Sequence, residues 1–209
     1  MDLLYFESPP GIQLLHCIEN AATGGESLFA DAVRAATLLR LNSPPLFRSL
    51  TSFPVTFHYH NAGHHYHCTH PTVVLDPHGF RDRQRIAHVN WAPPFQAPFE
   101  ADTGGDSLSL FRQYIVAAKE LARHLDDPAA QFQLRLEPGV CALFLNRRVV
   151  HSRRAFDPAS GPRWLRGAYL DIDAFCSRLR VLSELRRSAS ANGPGADDDD
   201  ADDAYAYIR

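Results

Sequence analysis

His151 and Arg163 are the side chains whose types and spacing first suggest chemistry. His151 closes the string Phe144-Leu145-Asn146-Arg147-Arg148-Val149-Val150-His151, and Arg163 follows twelve residues on, ahead of a run with Gly167-Ala168-Tyr169 in its middle. An imidazole and a guanidinium presented to one cavity could hold a metal and an anionic cosubstrate side by side. The His ligates through a ring nitrogen, and the Arg clamps a carboxylate through its fork of donors. A lone strand His is more often a satisfied structural residue, and Arg153, Arg154 or Arg166 could fill the role of Arg163. The densest group of ligand-type side chains lies elsewhere, at His58, His60, His64, His65, His67, His70 and His78, before His88. Such density suggests metal. However, Asn61-Ala62-Gly63 turns the chain inside it, and a polar loop beside an active-site mouth explains it better. Cys17, Cys68, Cys141 and Cys176 have no paired spacing, which disfavours a zinc ribbon or a disulfide framework.

These residues need elements to position them. Val140, Ala142 and Phe144 alternate with Cys141, Leu143 and Leu145, so the run reads as a buried strand entered through Glu137-Pro138-Gly139, whose downstream end delivers His151. Leu165 to Asp171 reads as a second strand. Residues 12 to 19 alternate as another, with His16 as packed core, and Ala22-Thr23-Gly24-Gly25 turns back a short strand, Ser27 to Phe29, alongside it. Asp31 caps a helix from Ala32 to about Leu41, stopped by Asn42-Ser43-Pro44-Pro45, and a second short helix runs to Leu50. Thr72 to Leu75 and Arg85 to Asn90 form a hairpin about Asp76-Pro77-His78-Gly79, while the three prolines of Trp91 to Phe99 forbid a central strand. Asp106 caps an amphipathic helix to about Leu125, striped by Leu108, Phe111, Ile115, Ala118, Ala122 and Leu125. Phe132, Leu134 and Leu136 then alternate into the His151 strand. A last helix, Asp173 to about Arg187, precedes Ser188 to Arg209, a Gly, Ala and Asp tail that cannot bury a core.

The start of the chain carries a more specific signal. Asp2 is followed by Pro9-Pro10-Gly11 and Gly24-Gly25-Glu26-Ser27, and with Asn146-Arg147-Arg148-Val149-Val150-His151 these resemble the Fe(II)- and 2-oxoglutarate-dependent dioxygenases of the taurine dioxygenase class. Within that class, Asp171-Ile172-Asp173 and Ser177 to Leu182 look like the gamma-butyrobetaine hydroxylase branch over the trimethyllysine hydroxylases. The resemblance covers roughly residues 2 to 187. It implies a mainly β fold with flanking helices, the double-stranded β-helix or jelly roll, and iron ligands in the order His-x-Asp and then a distal His. It implies Asp2 and His151 as metal ligands, Arg163 and Ser27 as oxoglutarate contacts, and Tyr169 and Asn90 at the substrate. Tyr169 could equally be core and Asn90 part of a surface loop. The activity implied is hydroxylation of a small trimethylammonium carboxylate such as gamma-butyrobetaine, a step of carnitine biosynthesis. Ascorbate as an accessory reductant stays open.

One departure bears on all of this. The His of His-x-Asp falls one residue before Met1, so the expectation is a chain lacking the first strands of the jelly roll. Asp2 then sits on a fraying terminus, the strand from Ile12 has an unpaired edge, and catalysis by the chain alone is absent or nearly so. Two alternatives remain: a catalytically inactive truncated relative, and a dioxygenase of the same fold acting on another small acid. At 209 residues and 45% hydrophobic the chain supports one core, giving a catalytic domain over 1–187 and a disordered acidic tail over 188–209. No apolar run approaches the roughly 20 residues of a bilayer span. The net charge of -3 gives no bias towards nucleic acid. The expected partners are therefore a small-molecule substrate and dioxygen, with no nucleic acid and no membrane, in a cytoplasmic protein for which a homodimer stays open.

Overall fold

The structure, a computed structural model, describes residues 1–77, 85–99 and 105–191. It falls into two compact units, Met1–Tyr169 and Leu170–Arg209. In the first unit the strands β1 (Ile12–Asn20), β2 (Thr23–Gly24) and β3 (Ser27–Asp31) come first. Two helices follow, α1 (Ala32–Asn42) and α2 (Pro44–Ser52). Next come β4 (Pro54–Asn61), β5 (His64–Pro71), β6 (Val73–Leu75), β7 (Ile86–Val89) and the long helix α3 (Gly105–Asp126). The closing strands are β8 (Gln131–Leu134), β9 (Cys141–Leu145), β10 (Val149–Arg153), β11 (Phe156–Asp157) and β12 (Arg163–Leu170).

Two three-stranded sheets position the site, one ordered β12-β1-β9 and the other β10-β3-β8. This mainly β arrangement with helices packed on it is the jelly roll expected from sequence. β1 lies in the centre of its sheet, so the expected unpaired edge at Ile12 is corrected: β9 pairs it antiparallel, Gln13 opposite Phe144, and β12 lies on its other side. β3 does not lie alongside β1 either. It runs on to Asp31 and pairs with β10 and β8, placing Phe29 opposite both His151 and Phe132. β9 is half-covered rather than buried, with Phe144 9% exposed and Leu143 58% exposed. Between β9 and β10 the chain turns at Asn146 to Arg148, so His151 belongs to the second sheet and not to the end of the first.

The helices take their places for local reasons. The Asp31 carboxylate accepts from the backbone N–H of Val33 at 3.0 Å and of Arg34 at 3.1 Å, capping α1 as expected. Its other oxygen accepts from Arg148 Nη2 at 2.8 Å, which ties the helix start to the turn that feeds β10. Pro44 opens α2, where a missing N–H costs nothing. Along α3 the buried stripe is Tyr114, Ala117, Leu121 and Leu125, while Leu108 is 52% exposed, so the expected stripe is rotated by about one residue. Phe53 stacks on Tyr114 at 4.5 Å and sets that rotation. The side chain of Asp106, expected as the cap, lies outside the described residues.

The His-rich run is a hairpin and not a loop. β4 and β5 pair over their whole lengths, and Ala62 (φ 50) and Gly63 (φ 78) supply the two left-handed positions of a primed turn. β6 and β7 form the expected second hairpin, and its turn at His78 lies outside the described residues. The proline-rich segment makes a 3-10 turn at Pro93–Phe95. In the second unit, α4 spans Ile172–Ala191, so residues 188–191 belong to a helix and not to the tail, and 192–209 lie outside the described residues. No helix among the described residues is long and apolar enough to cross a membrane.

Candidate active site

The turn between the two sheets builds the site. Asn146, fully buried there, accepts from the Asp2 backbone N–H at 2.9 Å and donates through Nδ2 to Asp2 O at 2.9 Å and Pro10 O at 3.0 Å. One amide thus fixes both ends of the segment from Asp2 to Pro10, and the expected fraying of Asp2 is corrected. Five residues further along, His151 points its Nε2 to within 3.8 Å of Asp2 Oδ2. The same carboxylate oxygen accepts from Gln13 Nε2 at 2.6 Å and from Tyr169 Oη at 2.7 Å, so residues of β1 and β12 hold it from beneath. Phe144 on β9 packs against the His151 ring, centroid to centroid 5.1 Å, and against Phe29 at 5.4 Å.

Burial pushes the His151 imidazole below its ordinary pKa, and the Asp2 carboxylate opposes that in part. The ring is therefore neutral near pH 7, the form that keeps a lone pair for a metal. Burial is also the larger cause that raises the Tyr169 phenol, reinforced by its hydrogen bond to Asp2, so Tyr169 remains a donor at any ordinary pH. A cavity of about 270 Å³ opens beside the pair, lined among others by Asp2, Phe29, Trp91, Phe95, Val150 and His151.

The remaining expected residues fall in two other places. Ser27, 5% exposed, begins β3, and two residues before it Gly25 presents its carbonyl to Arg163 Nη2 at 3.4 Å. Arg163 lies 5.5 Å over the Phe156 ring, and its Nε is buried without a hydrogen-bond partner. Gly25 is required there, because a Cβ would meet that Nε at 3.1 Å and its φ of +77 disfavours a side chain. Asn90 is not on a surface loop. It is 1% exposed, donates to Pro71 O at 2.8 Å and accepts from Arg147 Nη2 at 2.7 Å. The structure therefore joins Asp2, His151 and Tyr169 in one cluster, sets Arg163 against Gly25, pairs Ser27 with Arg153 and Leu134, and sets Asn90 in a bracket with Arg147. Sequence reasoning missed Gln13 and Asn146. Their signal was a polar amide in an apolar strand or turn, visible only once burial is known.

An imidazole nitrogen facing a carboxylate oxygen is a donor set that suits a ferrous ion, and the buried, unpartnered Nδ1 of His151 leaves the ring free of competing bonds. Asp2 and His151 fit two positions of a two-His, one-carboxylate site. Among the described residues no third His, Cys, Asp or Glu joins them.

Comparison with known proteins bears on this geometry. The family model described as "Taurine catabolism dioxygenase TauD, TfdA family" matches residues 1–169. Dioxygenase str8 of Strobilurus tenacellus is 37% identical over 190 residues, 87% of this chain and 42% of that protein. The gamma-butyrobetaine dioxygenase of Pseudomonas sp. (strain AK-1) is 38% identical over 181 residues, 87% of this chain and 45% of that protein. The chain thus spans less than half the length of these curated relatives. A taurine dioxygenase structure from Burkholderia xenovorans superposes with a TM-score of 0.57 at 18% identity, over 81% of this chain and 56% of that one, a likeness of fold.

Proposed function

Because the chain belongs to the TauD, TfdA family of taurine catabolism dioxygenases, we propose that it contributes to Fe(II)- and 2-oxoglutarate-dependent hydroxylation of a small trimethylammonium carboxylate such as gamma-butyrobetaine. The observation that carries the reading is the approach of His151 Nε2 to Asp2 Oδ2, two residues far apart in the sequence, at the wall of a cavity. Asp2 and His151 would hold the iron, and when bound with oxoglutarate the iron supplies the oxidising power for an unactivated C–H bond. The chain's own residues then position and shield. Gln13 and Tyr169 fix the carboxylate orientation, Phe29 and Phe144 keep water from the imidazole, and Arg163 with Ser27 receives the distal carboxylate of oxoglutarate. Tyr169 also offers an aromatic face to a trimethylammonium group, which has no donor and binds by its charge. The relative named gamma-butyrobetaine dioxygenase supports this substrate class. A second reading is a dioxygenase of the same fold acting on another small acid; the relative dioxygenase str8 carries no substrate in its name that would favour butyrobetaine over it.

The test compares the chain with a version carrying His directly ahead of Met1, the position of the first motif His. Succinate formation with Fe(II) is followed with gamma-butyrobetaine and with a panel of sulfonates and carboxylates. Turnover of gamma-butyrobetaine by the His-bearing version, abolished by His151→Ala, is the expected result. Turnover of another acid alone would favour the second reading. Iron-dependent turnover that survives His151→Ala would remove the proposed ligand set.

A further inference from the structure

The His-rich hairpin places four imidazoles on one face that the proposed catalysis does not use. Cross-strand register puts His58 opposite His67 and His60 opposite His65. Side chains alternate along each strand, so these four share a face with the Thr56 and Thr69 pair, while Tyr59, Tyr66, Asn61 and His64 share the other. Each strand therefore contributes one His-x-His, and the two motifs lie antiparallel as the corners of a rectangle. Its sides are about 5 Å across the strands and about 7 Å along them. The turn-proximal pair already meets: His60 and His65 stack at 4.5 Å between centroids with 26° between planes, and His67 lies 6.2 Å from His65.

The other histidines of the run are engaged elsewhere. His64 is 3.3 Å from Tyr66 Oη on the opposite face, and His70 is 3.2 Å from Phe6 O. Among the described residues no hydrogen bond occupies His58, His60, His65 or His67, and the last three of these are exposed. A face that served only to stay solvated would use Lys, Glu or Thr. Here four of its six positions around the paired threonines are imidazoles, the side chain that binds borderline transition metals.

We propose that this face of the β4–β5 hairpin is a transition-metal site for Cu(II), Ni(II) or Zn(II), with His60 and His65 as the clamp and His67 and His58 completing it. No three ligand side chains surround one point among the described residues, so the site closes from the stacked pair by rotation of exposed imidazoles about χ1 and χ2. A metal–nitrogen bond of about 2 Å added to each imidazole reaches across the rectangle. An all-nitrogen set ranks Cu(II) above the other divalent ions of the first row and differs from the carboxylate-containing set of Asp2 and His151.

The full chain is titrated with Cu(II) alone at mildly alkaline pH, followed by calorimetry and electron paramagnetic resonance. The expected result is a bound Cu(II) with nitrogen coupling from at least two imidazoles, weakened at least tenfold in His60→Asn/His65→Asn. His58→Asn/His67→Asn should lose less, and His64→Asn, on the opposite face, should lose nothing. In the wild-type chain, substoichiometric Cu(II) should broaden the ring resonances of His60 and His65 before those of His151. The proposal is overturned if the His60→Asn/His65→Asn chain binds Cu(II) with unchanged affinity and spectrum, or if broadening begins at His151. The wild-type measurement decides if the double variant does not fold.

Discussion

Tyr169 and Arg163 are the residues at which the proposed site is most exposed to test. Tyr169 donates to Asp2 Oδ2 at 2.7 Å, and donors that orient a metal ligand typically change metal affinity by about 10–100-fold. Tyr169→Phe keeps the aromatic face and removes the donor, so Mn(II) or Fe(II) should bind about tenfold more weakly while the fold is unchanged. Equal affinity in a metal titration would show that Gln13 alone orients the carboxylate. Arg163 is held between Gly25 and the Phe156 ring, a fit that uses the planar guanidinium. Arg163→Lys keeps the charge and loses the fork, so oxoglutarate affinity measured by calorimetry should fall by more than tenfold. An unchanged affinity would pass the role to Arg153, which lies 4.4 Å over the same ring. At this scale Asp2, His151 and Tyr169 were legible as candidates through the resemblance to the dioxygenase class, and the structure brings them within contact of one another. Gln13 and Asn146 were not legible, because an amide in a strand or turn means nothing until its burial and partners are known.

Secondary structure was largely readable from the chain, and pairing was not. The caps, prolines and alternation that mark β1, α1, α2 and the β6–β7 hairpin are local signals, and each element formed where they stand. The partner of β3 depends on contacts more than a hundred residues away, at Val149 to Arg153 and Gln131 to Leu134, and no local pattern encodes them. The stripe of α3 was misjudged for a related reason. Tyr114 is polar at its tip yet 2% exposed, because its ring stacks on Phe53 and its hydroxyl lies 3.5 Å from Thr72 Oγ1. Asp31 is the element-scale prediction. It ends β3, caps α1 and binds Arg148, which precedes β10 in the chain. Asp31→Ala should cost about 1–2 kcal/mol, most of it the lost cap, since the partly exposed ion pair adds little. Thermal denaturation should show a drop of roughly 2–8 °C. Asp31→Asn, which can still cap, should recover most of it, and no difference between the two variants would assign the loss to the ion pair.

Acid sensitivity is a property of the whole molecule that two histidines outside the site should dominate. His88 on β7 is pushed down to about 3, first by burial, then by the Arg147 guanidinium and then by His70. His70 is lowered for the same leading reason, burial, which its hydrogen bond to Phe6 O opposes. Both rings therefore fold in the neutral form, while in the unfolded chain each titrates near an ordinary value of about 6.5. The sign follows from proton counting. Below about pH 6.5 the unfolded chain takes up protons that the folded chain refuses, so stability present above that pH is lost as pH falls towards 3. Arg147 sharpens the effect: it is itself depressed to about 10 by burial, and a protonated His88 would add a second charge beside it. Denaturant unfolding across this window should give a stability that declines steadily on acidification. His88→Gln should flatten the slope while leaving the midpoint near neutral pH little changed. An identical slope in the variant would leave the acid response to His70, to His151, which burial also lowers, and to the carboxylates.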